Sequence, residues 1–527
     1  MHVRNLMKEL ITIKLKMNKS IAISALFAAV SAQQIGTQKS NSQQALGLST
    51  CTSSGCTKAS KAVTMDANWR WLHDKNGYNN CYTGSSWDPK ECPDADTCAT
   101  NCAVDGIPTD EWKNTYGVSG DADTLELGFL TKGSYATNVG SRTFMMNSQT
   151  KYEMFKLKNK EFTFTADVSN MPCGINGALY FVEMQEDGGL SEYGNDKAGA
   201  QYGTGYCDAQ CPQDIKFIDG KANSVGWTPS KTDPNAGAGE TGSCCAEMDI
   251  WEANNMAEAF TAHPCAIDGQ LACTGLKCGE GTDRYNGVCD KDGCDLNPYR
   301  AGVKDFYGPG KTVDSTKPLT VVTQFITADG TDTGDLSEIR RIFVQDGKVI
   351  QHPMSNISGL DTQHDSIKDD MCDAFKGIMG DTNDFKKKGG LKQMGKAMDN
   401  GMVLVMSIWD DHAANMLWLD STYPTDKTTV GGPRGACPIT SGKPSDVERQ
   451  HPDAGVKFSD IKIGDLNTTY NPSPSPTPPG PTPTPGCPGG SLNSCIGLCP
   501  STPAAAFQAC VGVCVTRCSS GEVESFL

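Results

Sequence analysis

The chain has 527 residues, which is enough for one large domain with additional segments, and its formal net charge at pH 7 is −16. This acidic balance argues against nucleic acid and anionic membrane surfaces as partners, because both are negatively charged. A neutral polymer is still compatible with it. We therefore expect no nucleic-acid partner and no membrane association.

The first 32 residues carry the pattern of a secretion signal. Lys19 is followed by the apolar run IAISALFAAV, and the small-residue sequence VSA ends at Ala32. The run is too short to cross a bilayer. A signal of this form would begin at Met17, so residues 1–16 are expected to be an upstream extension, with a longer charged leader as the alternative. The pattern predicts a secreted, extracellular protein.

The large domain, residues 33–466, is predicted to be mostly strand. Runs of β-branched and aromatic residues at 177–184, 319–326 and 401–409 have strand length. Asp346-Gly347 stands between two such runs and predicts a hairpin. Helical periodicity is sparse, and its best candidate is MCDAFKGIMG, residues 371–380. One sandwich of antiparallel sheets with long loops fits this pattern best.

The cysteines predict disulfides rather than a metal site. Of the 24 cysteines, eighteen lie between Cys51 and Cys437 and six between Cys487 and Cys518. Both groups are even, as expected for two separately bridged domains in an oxidising compartment. The alternative is zinc, but the His residues are scattered and the cysteines lack finger spacing. We predict no metal and no cofactor. Asn356 and Asn467 begin sequons for N-glycosylation.

Three acidic residues lie close together in SCCAEMDIWEAN, residues 243–254. On a strand, Glu247 and Asp249 would share one face, while Met248 and Ile250 point into the core. Glu252 falls on the wrong face unless a β-bulge near Trp251 shifts the register, and bulges often lie beside active sites. With the bulge, three carboxyl groups line one face.

Carboxyl groups this close resist joint ionisation, so at least one pKa should rise. Glycoside hydrolysis needs two carboxyl groups with separate roles, one attacking the anomeric carbon and one protonating the departing oxygen. The middle Asp could hold the nucleophile by a hydrogen bond. A solvated acidic edge and a calcium site are the alternatives. The apolar neighbours of the acids do not supply the further oxygen ligands that calcium needs.

Residues 467–486 are predicted to be an extended linker, because eight of the sixteen residues from 471 to 486 are proline. The cysteine-rich segment 487–527 follows. Cysteines four positions apart, such as Cys510 and Cys514, lie on one face of a helix. We predict a disulfide-stapled helical hairpin, with attachment to a wall polymer as a hypothesis for its role.

The motif CCAEMDIWEAN, followed by AFTAHPC, resembles the signature of glycoside hydrolase family 7, the fungal-type cellobiohydrolases and endoglucanases. The resemblance continues in DANWRWLH, NGALYFVEM, YGTGYCDAQCP, DGCDLNPYR, LTVVTQF and VLVMSIWDDHAANMLWLDSTYP, in order over residues 48–466. It implies an all-β jelly-roll sandwich of two large antiparallel sheets, with long loops that form a cleft or tunnel. It also implies retaining hydrolysis of β-1,4-glucan.

The resemblance implies roles for the acids and their surroundings. Glu247 would be the nucleophile, Asp249 its partner, Glu252 the acid/base, and His263 a nearby support. Two disulfides, Cys207–Cys245 and Cys211–Cys244, would brace the acidic segment.

Sugar-binding positions follow from the same resemblance. Trp69 and Trp71, which would share one face of a strand, are expected toward the glycone entrance, and Trp409 and Trp418 around the scissile bond. Further residues are expected to hydrogen-bond sugar hydroxyls, the arginines mainly on the product side: Tyr180, Tyr206, Asp208, Gln210, Arg284, Arg300 and Arg434. For each isolated Trp the alternative is a core position, and for each Arg it is an exposed ion pair.

Departures from the family pattern concern the roof of the tunnel. His412 and Ala413 stand where tunnel enzymes often have tyrosines, and segment 278–285 is short for a covering loop. The long loop 228–243, which endoglucanases typically lack, is retained. We therefore expect a monomeric cellobiohydrolase with a somewhat open tunnel, acting on a cellulose chain from reducing ends. An endoglucanase and a non-catalytic carbohydrate-binding jelly roll are the alternatives.

Overall fold

The structure is a computed structural model that describes residues 33–193, 197–470 and 510. The chain divides into two compact units, residues 1–471 and 472–527. The predicted signal at 1–32 lies outside the described residues. So do nearly all of the predicted linker and, except for Cys510, the predicted helical hairpin.

Two sheets form the first unit. The sheet that carries the three acids is called the cleft sheet. Its main strands, in spatial order, are Gln44–Thr52, Gly55–Met65, Ser141–Ser148, Met402–Asp410, Ile175–Val182, Glu247–Ala253, Glu258–His263 and Cys294–Leu296, with Lys151–Tyr152 and Met154–Phe155 beside them. The outer sheet contains Val118–Gly120, Thr124–Gly128, Gly455–Asp465, Lys160–Asp167, Leu319–Thr327, Leu336–Gln345, Lys348–Gln351 and Ser366–Ile367.

Neighbouring strands within each sheet are antiparallel, and one parallel pairing joins the sheets, with Ser49–Cys51 beside Lys462–Gly464. Alternate side chains of Ile175–Val182 explain the layering. Leu179 and Phe181 point into the core between the sheets, while Tyr180 and Val182 point to the opposite face of the cleft sheet. The first unit is thus a β-jelly roll, as predicted.

The core between the sheets is largely aromatic. The Phe181 ring lies edge-on to Phe162 of the outer sheet at 5.0 Å between centroids. The Trp251 ring contacts Phe164 in the same way at 6.2 Å. Trp251 is fully buried. These edge-to-face contacts pack the strand Glu247–Ala253 and its neighbour Ile175–Val182 against the outer sheet, which leaves the opposite face of Glu247–Ala253 for the acids.

Most of the predicted elements are confirmed. Strands cover the three apolar runs, and Gln345 pairs with Lys348 across the Asp346-Gly347 turn, where both turn residues have positive φ. The helix predicted at 371–380 corresponds to Asp369–Met379, with Gly380 as its C-cap. A second helix of equal length, Gly390–Asn400, was not predicted, although its buried residues Leu391, Met394 and Met398 have helical spacing.

The remaining elements are short and lie in the loops. The helices are Ala95–Asn101, Glu111–Asn114, Asp384–Lys387, Leu417–Asp420 and Pro444–Gln450, with 3-10 turns at Ala67–Trp69, Ala200–Tyr202, Gly275–Cys278 and Gly281–Asp283. The strands are Gln34–Ile35, Leu72–Asp74, Tyr82–Thr83, Ser86–Trp87, Cys102–Val104, Leu130–Lys132, Thr137–Val139, Phe217–Ile218, Lys221–Ala222, Thr228–Pro229, Gly237–Ala238, Thr241–Cys244, Leu271–Thr274, Tyr307–Gly308 and Val313–Asp314.

One local prediction was wrong. Trp69 ends a 3-10 turn and Trp71 lies outside any strand, so the two do not share a strand face. The Asp66 carboxylate accepts a hydrogen bond from the Asn68 N–H at 2.7 Å. This local side-chain bond caps a turn in competition with strand pairing.

Nine disulfides join all eighteen cysteines between Cys51 and Cys437. The pairs are Cys51–Cys56, Cys81–Cys102, Cys92–Cys98, Cys173–Cys437, Cys207–Cys245, Cys211–Cys244, Cys265–Cys289, Cys273–Cys278 and Cys294–Cys372. Within the described ranges, no helix is long and apolar enough to cross a membrane.

The chain stays attached to the sandwich beyond Leu466. The buried Glu161 carboxylate accepts hydrogen bonds from the N–H groups of Asn467, Thr468 and Thr469 at 2.7–2.8 Å. The first three residues of the predicted linker, 467–469, are therefore bound to the sandwich.

Candidate active site

A β-bulge shapes the acidic strand, Glu247–Ala253. Trp251 pairs with Leu179 but Asp249 pairs with the next residue, Tyr180, so Ile250 is the extra residue. The other neighbouring strand shows a register shift over the same interval, between Asp249 and Glu252. Met248, Ile250 and Trp251 are all fully buried in the core. The bulge predicted near Trp251 is therefore confirmed, and it returns Glu252 to the face opposite the core.

Each acid has its own partner. The Glu247 carboxylate accepts a hydrogen bond from the Ala209 N–H at 3.1 Å, and Glu252 accepts one from the Asn176 side-chain amide at 2.9 Å. Asp249 is paired with His263, with 3.1 Å between Oδ2 and Nε2. Among the described contacts, the partner of Asp249 is thus His263 and not Glu247, which differs from the predicted hydrogen bond to the nucleophile.

Asn176 was missed by the sequence analysis. Its amide oxygen also accepts the Ala253 N–H at 3.0 Å, so one fully buried side chain holds both the Glu252 carboxyl and the strand that carries it. The sequence feature that could have indicated Asn176 is that it is the one amide side chain in the otherwise apolar run 175–182.

Burial shifts the protonation of the cluster. It raises the pKa of Glu247 well above its usual range, and the nearby charges of Asp249 and Asp208 add to that shift. Burial and the charge of Asp249 raise the pKa of Glu252 to about 8. Burial favours the neutral form of a carboxyl group, and neighbouring negative charges do the same. The two glutamates therefore do not ionise jointly, and the pair keeps a proton at neutral pH.

His263 carries the compensating positive charge. Burial opposes its protonation, but the hydrogen bond and charge of Asp249 together with the contacts to Asp290 outweigh burial and raise the pKa of His263 to about 9. Its Nδ1 donates to the Asp290 carbonyl at 2.8 Å. Glu247, Asp249 and His263 have ligand atoms close enough to share a metal ion. In the structure, His263 and Asp249 pair with each other, with 3.1 Å between Nε2 and Oδ2.

Three predicted sugar-binding residues form one buried chain of hydrogen bonds. The hydroxyls of Tyr180 and Tyr206 lie 2.8 Å apart, and Tyr206 donates to Asp208 at 2.7 Å. The Arg142 guanidinium lies 3.3 Å from the centre of the Tyr206 ring and is ion-paired with Asp66 at 2.7 Å. Arg142 was not predicted. The tyrosines and Asp208 form the floor beside Glu247, and Gln210, which donates to the Lys291 carbonyl, is exposed next to them.

The four tryptophans divide into two groups. Trp409 and Trp418 stack on each other with 6.1 Å between centroids, and both are partly exposed. Trp418 donates to Asp411 at 2.9 Å, which fixes its ring plane. Trp69 donates to the Gly140 carbonyl at 3.1 Å. The Trp71 ring stacks on His73 at 3.9 Å between centroids. All four offer a part-exposed aromatic face.

The arginines differ in environment. Arg300 and Arg434 converge on Asp295, whose pKa they hold well below its usual range against the effect of burial. Asp295 pairs across the strands with Thr261, which in turn pairs with Asp249. These two arginines therefore contact a strand that lies two strands away from the acids. Arg284 is half-exposed and forms an ion pair with Asp292 at 2.7 Å. This is the environment expected if Arg284 does not bind sugar.

The long loop 228–243 accepts hydrogen bonds from two segments that are distant in sequence. The Tyr82 hydroxyl donates to the Asn235 carbonyl at 3.4 Å, and His412 donates to the Thr232 carbonyl at 2.8 Å. His412 thus supplies one contact to this loop, while Ala413 beside it is exposed.

Comparisons with known proteins agree on one family. The model of glycosyl hydrolase family 7 matches residues 35–470. The exoglucanase GH7B of Limnoria quadripunctata is 56% identical over 410 residues, covering 78% of this chain and 91% of that protein. A family 7 cellobiohydrolase structure from Daphnia pulex is 53% identical with a TM-score of 0.82, and the Humicola insolens endocellulase EGI is 35% identical with a TM-score of 0.70. Each match covers 83% of this chain and 100% of the solved chain.

Proposed function

Because the chain belongs to glycosyl hydrolase family 7, we propose that it is a secreted cellobiohydrolase. It would cut β-1,4-glucosidic bonds of cellulose with retention of anomeric configuration, releasing mainly cellobiose from reducing ends. The observation that carries the proposal is the bulge at Ile250, which sets Glu247, Asp249 and Glu252 on one face of a strand whose other face is buried.

In the first step, Glu252 donates its proton to the departing glycosidic oxygen while Glu247 attacks the anomeric carbon and forms a glycosyl-enzyme. In the second step, Glu252 takes a proton from water, which displaces the sugar. Two features support this division of roles. The pKa of Glu252 is raised to about 8, so it holds a proton at neutral pH. Glu247 accepts the Ala209 N–H, a bond that favours the ionised form against the effect of burial, so we assign the proton of the pair to Glu252.

Asp249 and His263 form the electrostatic support of this mechanism. The imidazolium of His263 neutralises Asp249, so the strand does not place three uncompensated negative charges in one buried row. Trp69, Trp71, Trp409 and Trp418 supply platforms for the apolar faces of glucose rings. Tyr180, Tyr206, Asp208 and Gln210 would bind hydroxyl groups, and Arg300 and Arg434 the departing cellobiose.

The exo-acting assignment is supported by the retained loop 228–243 and its contact with His412. The higher TM-score to the Daphnia cellobiohydrolase than to the Humicola endocellulase points in the same direction. The exposed Ala413 favours some internal cutting, so an endoglucanase is the second candidate. Secretion is supported by nine disulfides, which form in oxidising compartments. The sequon residues Asn356 and Asn467 are exposed, as glycan attachment requires.

The product profile on crystalline cellulose tests this proposal. Cellobiose as the dominant soluble sugar supports the cellobiohydrolase, a broad ladder of oligomers supports the endoglucanase, and no sugar supports a binding protein. Proton NMR of the first products decides stereochemistry, because retention yields the β-anomer before mutarotation. Cello-oligosaccharides labelled at the reducing end should lose the label first in a cellobiose unit.

A further inference from the structure

A second cluster of acceptor groups lies outside the proposed active site, at the end of strand Met402–Asp410. It consists of Asp410, His412 and Glu448, the last on helix Pro444–Gln450. One ligand atom from each residue lies within 4.8 Å of the other two. Asp233, in the long loop 228–243, adds another negative charge nearby.

The hydrogen bonding of His412 decides which of its nitrogens is available. Nδ1 lies 2.8 Å from the Thr232 carbonyl, and a carbonyl can only accept, so Nδ1 carries the hydrogen. In the neutral imidazole the lone pair is then on Nε2, which lies 3.8 Å from Asp410 Oδ1. This is the arrangement of a metal-binding histidine whose other nitrogen donates to a backbone carbonyl.

One oxygen of the Asp410 carboxylate, Oδ2, is buried without a donor. The Asp410 side chain is 5% exposed, and no donor among the residues the structure describes reaches Oδ2. The distance of 3.8 Å between Asp410 Oδ1 and His412 Nε2 is too long for a hydrogen bond. A buried carboxylate left this way is costly unless a proton neutralises it or a cation compensates it.

The spacing fits a bound ion. An ion about 2.1 Å from each ligand atom separates those atoms by about 3–4 Å, which includes the observed 3.8 Å. Glu448 is half-buried and has no hydrogen bond or ion pair with any described residue, so a side-chain rotation can bring its carboxylate the remaining distance.

We propose that Asp410, His412 and Glu448 bind one divalent transition-metal ion, such as Zn²⁺ or Co²⁺, with His412 bound through Nε2. One imidazole and two carboxylates suit such ions better than Mg²⁺ or Ca²⁺. The ion polarises the imidazole and strengthens the Nδ1–H bond to Thr232. It thereby fixes the long loop 228–243 against the end of the strand. This binding does not depend on the proposed cellulose hydrolysis.

The test uses the full-length protein after treatment with a chelator. Co²⁺ titration followed by visible absorption, and Zn²⁺ titration calorimetry, should show uptake of one ion. The variants Glu448→Gln and His412→Ala should weaken binding by at least about 10–100-fold. Asp446→Asn is the matched control on the same helix, where Asp446 is half-exposed and paired with Arg449. It should bind like the wild type.

A second control separates this site from the proposed active site. Glu247→Gln removes a carboxylate from the cluster with Asp249 and His263 and should leave the titration unchanged. Hydrogen exchange of residues 228–243 should slow on adding Zn²⁺ in the wild type but not in Glu448→Gln. Absence of uptake in the wild type, or equal uptake in wild type, Glu448→Gln and His412→Ala, would overturn the proposal.

Discussion

At the scale of single residues, Glu247 and Glu252 can be told apart by the leaving group. Glu247→Gln and Glu252→Gln should each lower cellulose hydrolysis by at least about 100-fold, with unchanged circular dichroism. An aryl cellobioside with an activated leaving group should partly rescue glycosylation in Glu252→Gln, since that departure needs less protonation. It should not rescue Glu247→Gln. An equal response of both variants would contradict the assigned roles.

The proton on Glu252 predicts a pH-dependent stability. Its pKa rises from 4.5 in the unfolded chain to about 8 in the folded protein, so folding favours the protonated form. That contribution is complete below about pH 4.5 and is lost as the pH rises through about 8. A glutamine does not titrate. The melting temperature of Glu252→Gln minus that of the wild type should therefore increase from about pH 5 to about pH 9.

The control for this measurement is Glu240→Gln, because Glu240 is exposed. Its difference from the wild type should stay flat over the same pH range. A flat difference for Glu252→Gln as well would mean that Glu252 is ionised in the folded protein, and the acid role would lose its support.

At the scale of elements, the bulge depends on a buried ion pair behind it. Arg341 is fully buried, donates to the carbonyl of the bulge residue Ile250, and lies 3.3 Å from the carboxylate of Glu258. Its guanidinium also packs over the Phe260 ring. The carbonyl freed by the bulge is thus satisfied from the core side, where water is absent.

Arg341→Met should destabilise the protein by about 3–5 kcal/mol, because it leaves the Glu258 charge buried and unpaired. The double variant Arg341→Met/Glu258→Gln should recover part of that loss, and denaturant unfolding of both measures it. Cellulose hydrolysis by the double variant should stay below that of the wild type, since Ile250 still lacks its donor. A double variant less stable than Arg341→Met would contradict this account.

The roof of the predicted tunnel, at His412 and Ala413, should affect how often the enzyme leaves its cellulose chain. Ala413 is exposed beside His412, and a tyrosine there would add an aromatic side chain next to the loop contact. We expect Ala413→Tyr to raise the ratio of soluble to insoluble reducing ends on cellulose, because the enzyme leaves its chain less often. Ala122→Tyr, at an exposed turn of the outer sheet, is the matched control. An unchanged ratio for Ala413→Tyr would exclude this position as a gate.

At the scale of the whole molecule, the sandwich and the C-terminal segment are predicted to be separable. Glu161 holds residues 467–469, so a chain ending at Tyr470 retains every described contact of the sandwich. This truncated enzyme should keep full activity on soluble cello-oligosaccharides. It should bind crystalline cellulose more weakly than the full chain if the segment 487–527 is an attachment module.

Circular dichroism of the segment 487–527 tests its predicted fold. The isolated peptide 487–527 should show helical circular dichroism that collapses when its disulfides are reduced. A β-rich spectrum would contradict the helical hairpin. Equal binding of the full and truncated enzymes to cellulose would contradict the attachment role and leave the fold prediction untouched.

The sequence by itself predicted a sandwich of antiparallel sheets, its main strands and the bulge that places the three acids on one face, and the family resemblance added the jelly roll. These follow from local rules: side chains alternate on strands, and an apolar face must be buried, so an acid at the wrong offset requires an extra residue. Only the tertiary structure decided the partners, because they come from segments far apart in the chain. Asn176 meets Glu252 and Thr232 meets His412 through the packing of loops and strands, which no local pattern encodes. The Trp69 turn shows the converse, since one carboxylate of Asp66 overrode an apparent strand.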